Sequence, residues 1–275
     1  MSGELMSPDL VFWLALAIKL ALTAGIVVTA SIVTERAGPL IGALVMTLPV
    51  TVWPAYLFLA FDHDKAFLAE SAVAGLAVNA VNGIFMLTYA ALAQRRGLAV
   101  SLLMALTCWV ILTAAARNVS WTMMFAAPVN LAVFPMCLWV GAGFSQTVMP
   151  PAVRRWYDVP LRTLLVCILM ATILVISYSV GPVVTGFIAV FPISTTSTML
   201  ILHQRLGGPV TAAVVANGIW GLVGLSFGLS ALHYSIMPAG PVLALTLALA
   251  IPVSWNLMVW AVRSRILGVR WRRCD

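Results

Sequence analysis

The sequence predicts an all-α, polytopic membrane protein of about nine transmembrane helices, arranged as a 4+1+4 inverted repeat with proline-broken helices two and seven. Three observations carry that expectation. Hydrophobic residues make up 63% of the 275 and charged residues only 8%, with a mean hydropathy of +1.07, whereas charged residues approach a quarter of a soluble domain. Nearly the whole chain divides into apolar segments of about 18 residues or more, the length a helix needs to cross roughly 30 Å of hydrocarbon. Finally, one stretch occurs twice: Gly38 to Ala55, GPLIGALVMTLPVTVWPA, and Gly181 to Thr198, GPVVTGFIAVFPISTTST. A single offset of 143 aligns Gly38-Pro39 with Gly181-Pro182 and Pro49 with Pro192, and the two residues that follow agree in kind, Val50-Thr51 with Ile193-Ser194.

Taken in order, the first span covers 10–34. The segment before it, MSGELMSPDL, has no Lys or Arg, and the apolar run is too long for a signal-peptide core, so this span is expected to be permanent. Span two, 38–61, is one home of the repeated motif, with Pro49 near its middle, and an acidic loop, DHDKAFLAE, leads on to span three, 66–94. Spans four (98–116) and five (121–144) are separated by the polar segment around Arg117-Asn118. Spans six (159–180), seven (181–204), eight (208–234) and nine (238–262) follow, and a basic tail occupies 263–275. Asn82-Gly83-Ile84 in span three matches Asn217-Gly218-Ile219 in span eight at an offset of 135, the longer acidic loop absorbing the difference. Residues 10–116 and 159–262 therefore pair as repeats, with 121–144 as the connecting helix, in a single membrane domain.

Cations orient the spans. Loops after odd-numbered spans, together with the tail, hold Arg36, Arg95, Arg96, Arg154, Arg155, Arg162, Arg205, Arg263, Arg265, Arg270, Arg272 and Arg273, whereas loops after even-numbered spans hold only Lys65 and Arg117. Lys and Arg are retained on the cytoplasmic side, so the N-terminus is expected outside and the basic tail in the cytoplasm. The net charge of +7 is then chiefly a topology signal with some attraction to anionic lipid, not a nucleic-acid footprint. Span two runs outward and span seven inward under this scheme, which makes the halves inverted.

A proline inside a helix has no N–H to donate and crowds the carbonyl four residues back, here Val45 for Pro49 and Ile188 for Pro192. In hydrocarbon such freed groups persist only where protein or a wet cavity partners them. Hydroxyls gather at the same depth: Thr47 and Thr51 flank Pro49, and Ser194, Thr195, Thr196, Ser197 and Thr198 follow Pro192 in one run. Inverted repeats whose broken helices meet at the bilayer midplane bind substrate in many secondary transporters. Each feature alone is also compatible with packing, since Ser and Thr hydroxyls often bond the carbonyl four residues back. Their duplication at matched depth points to a substrate-binding site at Thr47, Pro49, Thr51, Pro192, Ser194, Thr195 and Thr196. Asn82 and Asn217 join that set because the repeat carries both. Lys19, the one charge well inside a span, is read as a counter-ion for an anionic substrate or a proton-linked switch, with snorkelling as the rival explanation.

The four cysteines are scattered without CxxC spacing, so neither disulfides nor a metal site is expected, and no cofactor is implied. No nucleotide-binding loop or hydrolase motif occurs in a usable context, and no general base accompanies the hydroxyls, which argues against an enzyme. The segment TGFIAVFPISTTSTML resembles the Gly-apolar-Phe-Pro signature of small four-helix bacterial inner-membrane proteins of the GlpM type; the first copy departs from it with Leu48-Pro49. The inverted-repeat plan is similar to that of the drug/metabolite transporter superfamily, whose members usually have ten helices. These resemblances imply a bacterial inner (plasma) membrane location and transport of a small metabolite. The expected partners are the lipid bilayer, a small-molecule substrate and, compatibly, further copies of the chain. The leading expectation is a secondary transporter or exporter; the alternative is a non-transporting subunit that assists envelope or polysaccharide assembly.

Overall fold

Residues 65–92 contain many Ala and Gly residues and two asparagines, and this composition decides where they sit. Small side chains let helix backbones approach closely in a membrane protein, where dispersion and hydrogen bonds replace the hydrophobic drive. The computed structural model describes residues 8–36, 51–144 and 157–266, all of whose regular elements are helical. They form α1 (Pro8–Arg36), α2 (Val52–Asp62), α3 (Lys65–Leu92), α4 (Leu98–Ala116), α5 (Met123–Ala142), α6 (Asp158–Ala189), α7 (Ile193–Leu206) and α8 (Gly208–Ile266). Six of these, all but α2 and α7, are long and apolar enough to cross a membrane. α3 is the axle. Its apolar window is 83% buried, against 17–22% for the others, which turn large side chains such as Leu131, Trp139 and Val242 outward.

Close approach to α3 is fixed by glycine. A Cβ on Gly186 would collide with the Ser71 carbonyl oxygen, and one on Gly208 with that of Ala93. These contacts set the chain directions. Gly186, Val190, His203 and Gly208 meet Ser71, Asn82, Tyr89 and Ala93 in turn, so 182–206 runs parallel to α3. The first half of α8 runs against it, with Leu222 and Ser226 beside Asn79 and His233 beside Ala69.

The two longest helices are folded back at glycines. Gly181 has φ 74 and ψ 176, and Gly240 has φ 79 and ψ 171, a region essentially reserved for glycine. Each is followed by a proline, Pro182 or Pro241, whose missing N–H and fixed φ suit the first turn of a new helix. After Gly181 the chain returns along α3. After Gly240 it returns along the first half of α8, placing Ala248 and Pro252 against Gly228 and Trp255 against Gly224. The expected gap between 234 and 238 is thus displaced: Ser235 to Met237 are helical, because the residue that tolerates the reversal is Gly240. The span expected at 98–116 coincides with α4.

Candidate functional site

The interruption expected at Pro192 is present. α6 ends at Ala189, Val190 to Pro192 are non-helical, and α7 begins at Ile193. Pro192 has φ −79 and ψ 54, and Ile193 N–H donates to the Phe191 carbonyl at 2.7 Å, the geometry of an inverse γ-turn centred on the proline. The Phe191 N–H donates to Ile188 at 3.0 Å, occupying the carbonyl that the proline cannot serve.

Val190 sits in the break with 1% exposure, so its carbonyl must be satisfied from within the protein. Asn82 Nδ2 donates to it at 2.8 Å, and the same side chain accepts from Trp109 Nε1 on α4 at 2.8 Å. Phe191 packs edge-on against the Trp109 ring, with centroids 4.8 Å apart. One amide therefore joins α3, α4 and the break, near the middle of α3. Below it a second polar junction forms: Asn79 donates to Leu222 and Ser226, Ser226 donates to Asn130 Oδ1, and Asn130 donates to the Leu76 carbonyl. Asn79 Oδ1 is buried with no partner.

The hydroxyl run divides into two groups. Thr196 Oγ1 donates to the Pro192 carbonyl at 2.9 Å, and Ser197 and Thr198 both donate to Ser194 at 2.8 and 2.9 Å, with Arg162 Nη2 also reaching Thr198 at 3.3 Å. These three are buried and committed to the backbone of their own helix. Ser194 and Thr195 stay partly exposed. Thr51 is buried at the N-cap of α2 without a side-chain cap bond. Thr47 and Pro49 lie outside the described residues. Asn217 donates to Ala213 at 2.9 Å, and the adjoining Gly218 faces Met86, one helical turn along α3 from Asn82. The structure thus places Asn82 against the break that ends at Pro192, with Ser194 and Thr195 following in the chain.

Lys19 stands apart from them. Its Nζ contacts both carboxylate oxygens of Asp62 at 2.6 Å, so its charge is matched by the last residue of α2. The sequence places Asp62 in an acidic loop and offers no sign of a partner for Lys19, since the two are 43 residues apart. Trp109, which the sequence pattern does not single out, is the donor that completes the Asn82 junction; an indole N–H in an apolar span signals a buried acceptor. A small apolar cavity of about 10 Å³ lies beside Trp53, Tyr56 and Gly228, space for about one water. Among the described residues no three His, Cys, Asp or Glu side chains converge to hold a metal ion. No protein-family model, curated protein or solved structure matches this chain.

Proposed function

We propose that the protein is a secondary transporter or exporter of a small metabolite in a bacterial inner membrane, built as nine spans in a 4+1+4 inverted repeat. The observation that carries this reading is the buried break at Val190 to Pro192, held at mid-depth by Asn82 from the other half of the chain. Backbone of that kind is stable in a membrane only inside protein or beside an aqueous cavity, and transporters place substrate sites there. On this reading Ser194 and Thr195 are the hydroxyls that meet substrate, and Asn82 positions the break they flank. Thr47, Pro49 and Thr51 form the corresponding break in the first repeat, Asn217 is the second repeat's counterpart of Asn82, and sequence likeness to GlpM-type proteins belongs to the same proposal. The arginine-rich ends face the cytoplasm.

A thermal-shift screen of the purified protein against small metabolites tests the proposal, because a ligand of the folded form raises its melting temperature. A hit should be carried by reconstituted vesicles, and Ser194→Ala with Thr195→Ala should abolish flux while the melting temperature without ligand stays unchanged. Unaltered flux in that double variant would remove the site.

One observation favours a second reading, a subunit that assembles with other envelope proteins. Thr196, Ser197 and Thr198 hydrogen-bond to their own helix, as hydroxyls do when they only support packing. Co-purification of a fixed partner from native membranes, with no ligand response, would establish that reading instead.

A further inference from the structure

We propose that two ion pairs at opposite ends of the bundle, Lys19–Asp62 and Asp158–Arg205, are repeat-related clasps that close the two ends of the transport path. The inference rests on the transport reading above.

The offset of 143 that superposes the two proline motifs also carries Lys19 onto Arg162 and Asp62 onto Arg205. The first copy pairs its two positions directly, Lys19 Nζ to Asp62 at 2.6 Å. In the second copy both positions are arginine, and the carboxylate comes from Asp158, one helical turn before Arg162, which meets Arg205 Nη1 at 2.5 Å. Arg162 reaches across to Thr198, on the same helix as Arg205. Each pair therefore ties the far end of a motif-bearing span to the span that precedes it: α2 to α1 in one copy, α7 to α6 in the other.

Their placement suits closure. Asp62 lies beside the start of α3, where His63 Nε2 meets Ser177 Oγ at 2.9 Å. Arg205 lies by its end, where Tyr89 meets His203 at 2.7 Å. At 1.5 Å per residue the 28 residues of α3 put the two clasps about 40 Å apart, on either side of the break. The side chains are 17% and 15% exposed in one pair and 9% and 13% in the other, so each pair is withdrawn from water yet adjacent to it. A shielded pair is costly to leave half made, which favours two discrete arrangements over a gradual loosening. Both are formed here, an arrangement closed at each end, and alternating access then requires one to open while the other holds.

Side-specific labelling tests this without knowledge of the substrate. In a protein whose four cysteines are replaced by alanine, Ser177→Cys reports on the first end and Thr198→Cys on the second, read with a membrane-impermeant maleimide in vesicles of both orientations. Asp62→Asn should raise labelling of the Ser177→Cys reporter roughly tenfold, an ordinary coupling magnitude, with no rise in the Thr198→Cys reporter. Asp158→Asn should do the converse. The swapped pair Lys19→Asp with Asp62→Lys, which keeps both charges, should return labelling to the parent level and guards against simple misfolding. Equal rises at both ends, or no rise in either variant, overturns the clasps. Side-specific opening in a protein that carries no metabolite upholds the clasps and removes the transport reading; flux that persists with unchanged labelling does the reverse.

Discussion

Two interruptions in one stretch of chain, at Gly181 and at Val190 to Pro192, are held by different physics. Gly181 reverses the chain through a backbone conformation that only glycine adopts readily, and nothing lies within 4 Å of the place a Cβ would occupy. The second break has no positive φ but sits in the interior, and its stability depends on Asn82, Trp109 and Phe191. One is a property of a single residue; the other is a property of several packed helices. A turn in open space can rely on backbone freedom alone. A break packed among helices must have its partners built in.

Substitutions separate the two. Asn82→Leu, similar in size, leaves the Val190 carbonyl and the Trp109 N–H without partners; at about 1–3 kcal/mol for each orphaned group it should cost roughly 2–6 kcal/mol, the largest effect expected here, read by denaturant or thermal unfolding in detergent. Gly181→Ala meets no steric obstacle and should cost only the strain of a positive φ, about 1–3 kcal/mol. Gly240→Ala, in the same conformation and equally open space, should match it closely; a much larger loss at either would show that more than backbone strain holds the turn. Trp109→Phe keeps a ring against Phe191 but removes the donor to Asn82, and about 1 kcal/mol should follow.

The smallest expected effect concerns the anchor of the Gly181 turn. His63 bonds Ser177, one helical turn before the reversal, and stacks on Phe67 with ring centroids 3.8 Å apart. Burial holds the imidazole below its ordinary value of 6.5, opposed by Asp62 and Asp64 and aided by Lys19. The unfolded chain then takes up its proton at higher pH than the folded one, so stability should decline as pH falls through about 6.5. A melting temperature compared at about pH 7.5 and 5.5 should drop further in the parent protein than in His63→Gln.

Local chemistry is legible in the sequence where one or two residues decide the backbone. Gly181-Pro182 and the interruption at Pro192 can be located to the residue, and α4 to its ends, because proline and glycine act on their own neighbours. The Gly240 turn carries the same Gly-Pro signature, but the apolar run on both sides hides it, and the pattern puts the boundary too early. Partnerships are not legible. Nothing near Lys19 announces Asp62, and the commitment of Thr196, Ser197 and Thr198 to their own carbonyls depends on rotamers that a row of hydroxyls does not specify. The duplicated asparagine is readable as a position, yet its acceptor at Val190 and its donor at Trp109 require the fold. The first copy of the motif lies outside the described residues from Gly38 to Val50, Thr47 and Pro49 included.

The burial of α3 also bears on how the protein is made. Its window has a mean hydropathy of 1.5, the lowest of the six long helices, and Asn79 and Asn82 lie within it. Emerging from the ribosome, that segment is the one least suited to acyl chains on its own, and most of what finally covers it belongs to α6 and α8, which are translated later. In the multi-pass arrangement with which these helices are compatible, α3 would gain most of its cover only after the second half of the polypeptide has been made.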